Sequence, residues 1–511
     1  MLMKWILKNK KGVWVALALI VLLGAGLRLY ALGENSFVAD EFLDINGSYG
    51  YFQTGEWQAW DFNYGKPAEM NINEARDERA FLYKWQVASL FHFLPPTEAN
   101  ARLVSVFWGI LSILVVFGTA RWYSGKTEIG LIAAFLFAVS ISAIIFDRRL
   151  RMYAMFFPLY LLFSTFAFAA IERAYKGKIR ALQVGWERLG IHLPFALLAL
   201  VFGFLSFQVH QLTASIVPVL AVYLLARAWQ AYREGDKRNK YAVFLGLGAL
   251  AFFALLLFFP SVLSGTTKEL NFFDDHYGYI GYVLSDYAHP LLGILVMLLG
   301  ARFFLRKPGR NQEGFWIILS LLVPLALAIW VWKRNAGPQY IFFVQSFAII
   351  LSAAGIYGIW EFVKLNLSDY AKAPFIALLL GFLLLPNYGY FFEENTTYHE
   401  TSSGSNPNYR KVFGYFKKNK AEGEVLITRN FRNYYFSGAK VPVYDFGGEL
   451  SEERFSRTEL ESILEKHPHG WVIVSTNDYD YISKDAEALI KERMERVSHS
   501  EVRGPIEVYR W

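Results

Sequence analysis

Long apolar runs separated by short polar breaks set the plan of this chain. They lie at about 13–31, 102–120, 128–146, 152–171, 191–206, 211–228, 241–261, 289–305, 315–332, 340–362 and 373–391. Each approaches or exceeds the roughly 18 apolar residues that a helix needs to cross a bilayer. The pattern predicts a mainly α, polytopic transmembrane fold of about 11 spanning helices. Between 191 and 228 only a short break with Gln208, His210 and Gln211 divides two runs. A long polar segment, about 33–100, follows the first run and is rich in acids and aromatics. Within it Ala80–Leu94 is amphipathic, too short and too mixed to span, and is expected to lie along the membrane surface.

The pattern changes beyond residue 391. Glu393–Tyr409 is a polar linker containing Ser-Ser-Gly-Ser-Asn-Pro-Asn. After it, helices are predicted near 409–419, 430–437, 456–466 and 485–497. Strands are predicted at Glu424–Thr428, Val441–Tyr444, Trp471–Ser475 and Ile506–Arg510. Such alternation indicates a small α/β unit. It lacks a Gly-rich phosphate loop. The expected organisation is a transmembrane domain over 1–391, with its first external loop at 33–100, and a soluble α/β domain over 392–511.

Charge orients the runs. With the N-terminus inside, the cytoplasmic loops collect Arg121 and Lys126, then Arg173 to Arg188, Arg227 to Lys240, Arg302 to Arg310, and Lys364 with Lys372. This follows the positive-inside rule and places the first loop and the C-terminal domain outside the cell membrane (plasma or inner). The net charge of +7 is therefore a matter of topology and carries no nucleic-acid signal. Zero cysteines exclude disulfides, thiolate catalysis and cysteine metal sites.

Candidate chemistry gathers on the external side. Asp40 and Glu41 are adjacent carboxylates just past the first run, with Glu78 further along the loop and Asp147 in the turn after the third run. Cations break the positive-inside pattern at Arg102, at Arg148, Arg149 and Arg151, and at Lys333 and Arg334. An arginine fork suits phosphate oxygens. His210 lies at the same level, although a lone histidine is more often a packing residue. Asp274-Asp275-His276 could hold a divalent cation, but three adjacent side chains diverge on a regular element, so no metal or cofactor is assigned. A carboxylate base, phosphate-competent cations and abundant aromatics are the parts needed for inverting glycosyl transfer from a lipid-phosphate donor.

Those residues, in their order and spacing, resemble the GT-C superfamily of polyprenyl-phosphate-sugar glycosyltransferases. The likeness is to the branch holding protein O-mannosyltransferases and lipid A aminoarabinose transferases. It rests on Leu27-Arg28-Leu29-Tyr30 ending the first span, Asp40-Glu41 in the first loop, Ala101-Arg102-Leu103, Asp147-Arg148-Arg149-Leu150-Arg151-Met152-Tyr153, His210 and Pro338-Gln339-Tyr340. It covers about residues 10–390, and an external α/β tail is also usual. The resemblance implies a donor of polyprenyl-phosphate sugar, membrane lipids as surroundings, and a lipid, glycan or protein acceptor. It makes Asp40 the base and has Glu41 position the acceptor or Asp40. Asp147 or Glu78 becomes a second acid. Arg102, Arg148, Arg149, Arg151, Lys333 and Arg334 become phosphate contacts, with Tyr153, His210 and Tyr340 as further substrate contacts. Departures are present: Asp77 to Tyr83 replaces a Pro-Pro surface helix, and Gln339 replaces an arginine. The Trp-Trp-Asp-Tyr-Gly signature of oligosaccharyltransferases is absent, which argues against en bloc transfer to Asn. Competing classes are a transporter or flippase of lipid-linked saccharides, which needs charged helices lining a path, and a non-catalytic envelope scaffold, which tolerates loss of Asp40.

Overall fold

The computed structural model describes the chain except residues 1–9, 39, 69–79, 237, 259–269, 271–274, 307–308, 334–336, 367–374, 377–378, 380–382, 384–389, 393–395, 397, 399–406, 447–453 and 503–504. Its contacts group into two units that do not follow chain order. The first is Met1–Arg28, Val106–Asp147 and Tyr153–Gly389; the second is Leu29–Ser105, Arg148–Met152 and Tyr390–Trp511.

The first unit is a bundle of apolar helices. Among the described residues seven helices are long and apolar enough to cross a membrane, and nine if each of two bent pairs counts as one span. Pro290–Arg306 is a shorter helix of 17 residues, and the run 373–391 lies mostly outside the described residues. Leu200, Phe204, Leu247, Leu250, Phe252 and Phe253 are exposed on helix faces, where water is a poor solvent and lipid a good one. Packing in the bundle uses close backbone approach. A Cβ on Gly300 would sit 1.8 Å from the Leu351 carbonyl oxygen, and one on Gly355 2.0 Å from that of Val296, so helices Pro290–Arg306 and Gln345–Asn366 touch through glycine.

One bent pair, Thr127–Val139 and Ile141–Asp147, turns by 61° at Ser140. A break in a spanning helix frees backbone groups that lipid cannot satisfy. Asp286 meets this need by accepting from the Ser142 N–H at 3.1 Å and the Ser140 hydroxyl at 2.6 Å. Gln345 Nε2 also donates to Asp286.

The second unit contains the first loop and the C-terminal sheet. Asp40 stands at the N-cap of helix Glu41–Thr54, and the amphipathic run forms helix Phe81–Leu90. A small antiparallel hairpin pairs β1 (Trp60–Asp61) with β2 (Lys66–Pro67). The sheet then has β3 (Val425–Ile427), β4 (Val443–Tyr444), β5 (Gly470–Ser475), β6 (Glu495–Arg496) and β7 (Ile506–Arg510), in spatial order β4-β3-β5-β7-β6. Parallel pairs set Leu426 beside Val443 and Trp471, while β7 runs antiparallel with Val472 opposite Tyr509. Every residue of β5 is buried, as befits a central strand covered on both faces. Helix Tyr409–Asn419 buries Tyr409, Val412, Phe413 and Phe416, a 3.6-residue stripe, and Asn408 caps it. A Ser456–Glu459 capping box starts helix Arg457–Lys466.

The helix predicted near 430–437 is not formed. Only a 3-10 turn, Asn430–Arg432, is present. Its groups are committed elsewhere: the Phe431 carbonyl accepts from Asn46 Nδ2 at 3.1 Å, and Asn433 Oδ1 accepts from the Phe62 N–H at 3.3 Å. Helix Lys484–Arg493 also stops earlier than predicted, because Glu495–Arg496 adds an edge strand.

Candidate active site

The second unit brings an acidic cluster and several cations together. Helix Glu41–Thr54 starts at Asp40, so Asp40 and Asp44 share a face one turn apart while Glu41 points elsewhere. Arg151 forks across that face, with 2.9 Å from Nη2 to Asp40 and 2.8 Å from Nη1 to Asp44. Lys84 from helix Phe81–Leu90 approaches Asp44 to 3.5 Å. The Arg151 carbonyl accepts from the Ser105 hydroxyl at 3.3 Å, and Ser105 meets the buried Tyr83 hydroxyl at 2.7 Å.

Glu41 belongs to a separate clamp. It receives a bidentate fork from Arg102, with both contacts at 2.9 Å. The Leu150 N–H donates to it at 2.7 Å and the Val38 N–H at 3.1 Å. Burial pushes this carboxyl up, but Arg102 and the N–H donors outweigh that and hold it below its ordinary value. Arg102 donates its remaining N–H groups to the carbonyls of Leu32, Asn35 and Ser36 at 3.0, 2.9 and 3.0 Å. All five of its donors are thus engaged by protein.

The three arginines of the 148–152 turn diverge. Arg148 is buried, donates to the carbonyls of Tyr30 and Ala31, and stacks 4.4 Å from the Tyr398 ring centroid. Arg151 holds Asp40 and Asp44. Arg149 is exposed, and its side chain makes no hydrogen bond or salt bridge among the described residues. Of the acids, Glu41 and Asp44 are buried at 1% and 7% side-chain exposure, whereas Asp40 keeps 37%.

Other sequence candidates fall in the first unit. Asp147 is buried, with Oδ2 accepting from Arg28 Nε at 2.7 Å, and its Oδ1 has no partner among the described residues. Tyr153, His210 and Tyr340 form one aromatic cluster, with ring centroids 5.5 Å apart for Tyr153–His210, 6.1 Å for His210–Tyr340 and 6.3 Å for Tyr153–Tyr340. His210 Nδ1 accepts the Leu212 N–H at 3.1 Å and so caps the turn Gln211–Ser215. Lys333 is exposed. Glu78, Arg334 and Asp274 lie outside the described residues. Among the described residues no three acidic, histidine or cysteine side chains converge as metal ligands do.

With the geometry in place, solved structures give the fold. The oligosaccharyltransferase of Archaeoglobus fulgidus in its apo form is similar over 96% of this chain and 73% of its own, with TM-score 0.62 and 11% identity. The same organism's AglB, in complex with an inhibitory peptide and a dolichol-phosphate, matches 95% and 72% at TM-score 0.62 and 11% identity. ArnT from Cupriavidus metallidurans, bound to undecaprenyl phosphate, matches 98% of both chains at TM-score 0.56 and 14% identity. The chain has the GT-C fold. No protein-family model and no curated protein matches it. The apolar helices of this GT-C fold make it a multi-pass membrane protein.

Two participants in the acidic cluster escape a reading for adjacent motifs. Asp44 carries a usable signal, since it is four residues from Asp40 at helical spacing. Lys84 carries none, because a lysine in an amphipathic run is ordinarily solvated, yet here it is 2% exposed.

Proposed function

We propose that this GT-C protein transfers a sugar, with inversion, from a polyprenyl-phosphate-linked donor to an acceptor of the cell envelope. The observation that carries the reading is the state of Asp40. Among the described residues it is the one carboxylate of its cluster that stays accessible, and it is held by one cation, Arg151, at 2.9 Å. Asp40 takes the proton of the acceptor hydroxyl as that oxygen bonds to the anomeric carbon. The anomeric carbon–oxygen bond breaks, its electron pair goes to the lipid phosphate, and a nearby cation stabilises the new charge. Arg149, exposed and unengaged among the described residues, is the candidate for that contact. Arg102 has no N–H left for a phosphate, so its role is to hold Glu41 and the loop carbonyls. Glu41 acts as a positioning residue for the start of the Asp40 helix, and Arg148 acts similarly through two loop carbonyls. Tyr153, His210 and Tyr340 contact substrate within the spanning unit, and Lys333 is a further cation there. Asp147 is paired to Arg28 and serves structure first.

The donor's isoprenoid tail dissolves among the apolar spans. The acceptor is a lipid, a glycan or a protein. The N-terminus is cytoplasmic, and the first loop and the α/β sheet face outward from the plasma or inner membrane. Dolichol-phosphate in AglB and undecaprenyl phosphate in ArnT, both proteins of this fold, support a donor of this kind.

The test is release of labelled sugar from polyprenyl-phosphate hexoses and pentoses by protein in lipid nanodiscs, wild type beside Asp40→Asn. Wild-type turnover should fall by about 10²–10⁴-fold in the variant, the usual contribution of general-base catalysis. Undiminished turnover removes Asp40 from the mechanism. Failure of wild type to bind or turn over every such donor overturns the reading and favours a transporter or scaffold.

A further inference from the structure

The C-terminal sheet carries charge at an edge that Asp40 chemistry leaves unused. Strands β4, β3 and β5 lie side by side and run parallel; the chain passes from β3 out to β4 and then back across β3 to β5, so the strand order reverses at β3. In open α/β sheets such a switch leaves a crevice beyond the carboxyl ends of the strands, where ligands bind. Here those ends lead into Thr428–Asn433 after β3, Asp445 after β4 and Thr476–Tyr481 after β5.

Two arginines lie at this edge in different states. Arg432 is neutralised by Asp478 in a bidentate pair, both contacts at 2.6 Å. The Arg429 side chain is 3% exposed and makes no hydrogen bond among the described residues. Its nearest acid, Asp445, stays 4.0 Å away. Its guanidinium lies 4.0 Å from the Tyr481 ring centroid and 5.0 Å from that of Phe431. Four polar atoms at this edge are buried without a partner among the described residues: Nε of Arg429, Nε of Arg432, Oδ1 of Asn430 and Nδ2 of Asn433. Buried donors of this kind are rare and costly unless an acceptor meets them. The missing group accepts two charged N–H donors and offers one hydroxyl to Asn430.

We propose that this edge is an oxyanion site that takes the carboxylate or phosphate of an acidic saccharide. Arg429 holds the acid and Asn430 accepts a sugar hydroxyl. The site is tied to the Asp40 helix, since the Phe431 carbonyl accepts from Asn46 Nδ2 and the Phe431 ring stands 5.7 Å from that of Phe42. As an anchor for a glycan acceptor it rests on the glycosyltransferase reading, but as an anion site it does not.

The experiment is a binding titration of the full-length protein in nanodiscs with inorganic phosphate, sodium glucuronate and neutral glucose, read by the thermal unfolding midpoint. Ligand binding to the folded state raises that midpoint. Phosphate, glucuronate or both should raise it and glucose should not; which anion acts separates a phosphoryl from a carboxylate ligand. Arg429→Gln should weaken the anion effect at least tenfold while leaving the ligand-free midpoint equal or higher, because a buried cation without an acceptor is removed. Arg149→Gln should leave the effect intact. The proposal is overturned if neither anion acts on wild type, if Arg429→Gln binds like wild type or unfolds earlier without ligand, or if only Arg149→Gln abolishes binding. None of these arms needs a sugar donor, so a failed transfer assay and a failed anion site are told apart.

Discussion

Two buried arginine–carboxylate pairs, one in each unit, differ in how the acid is used. Glu41 accepts from Arg102 and from two backbone N–H groups, so both its oxygens are filled. Asp147 accepts from Arg28 on one oxygen, and the other has no partner among the described residues. The arginines are alike: Arg102 gathers loop carbonyls, and Arg28 reaches those of Gly24, Ala138 and Phe137 beside the helix break at Ser140. Each guanidinium thus ties down irregular backbone, and the acid decides how firmly. In the polar unit the acid is itself a backbone clamp. In the apolar unit it is a counter-ion wedged against helix Glu98–Ser124, where a Cβ on Gly109 would come 2.4 Å from its carboxyl carbon.

The comparison breaks most sharply at Glu41→Gln. The amide turns a donor toward N–H groups and leaves Arg102 as an uncompensated buried cation, a change worth about 3–5 kcal/mol. Urea unfolding should show that loss, and protease should cut the first loop sooner. Asp147→Asn is milder. The amide oxygen still accepts from Arg28, the new donor occupies a place that already lacked a partner, and the carbonyls around Arg28 remain. Arg28 loses its counter-charge but keeps this hydrogen bond, so the expected loss stays below the roughly 3 kcal/mol at which outright removal of a buried partner begins. If Asp147→Asn destabilises more than Glu41→Gln, satisfaction of the acid is not what separates the two pairs.

This distinction explains what the sequence could and could not tell. Apolar runs are read directly, because lipid demands length and uniform character, and most predicted spans coincide with helices such as Glu98–Ser124 and Asn311–Trp330. Strands β3 and β5 are also readable, as short β-branched runs bounded by polar breaks. The segment 430–437 is not, since its aromatic residues look helical while Asn430 and Asn433 serve as tertiary partners. Similarly, Asp40 and Glu41 are conspicuous as neighbours, but a helix start aims them in different directions. That Arg102 is unavailable to a ligand depends on carbonyls about 70 residues away in sequence, which no local pattern encodes.

The smallest effect concerns acid. Glu41 is held below its ordinary value in the folded protein, by Arg102 and the N–H donors acting against burial. A carboxyl lowered on folding stabilises the native state above its unfolded value, near 4.5, and that stabilisation disappears as the pH falls through the lower folded value. Each unit of lowering is worth about 1.4 kcal/mol. Wild-type stability should therefore drop more steeply than that of Glu41→Gln below about pH 4.5, and the two curves should converge toward strong acid. The slope belongs to Glu41 because the variant has no proton to take up at that position. Parallel curves through this range would mean that the clamp binds its proton as an unfolded glutamate does, and that its hydrogen bonds, not its charge, hold the loop.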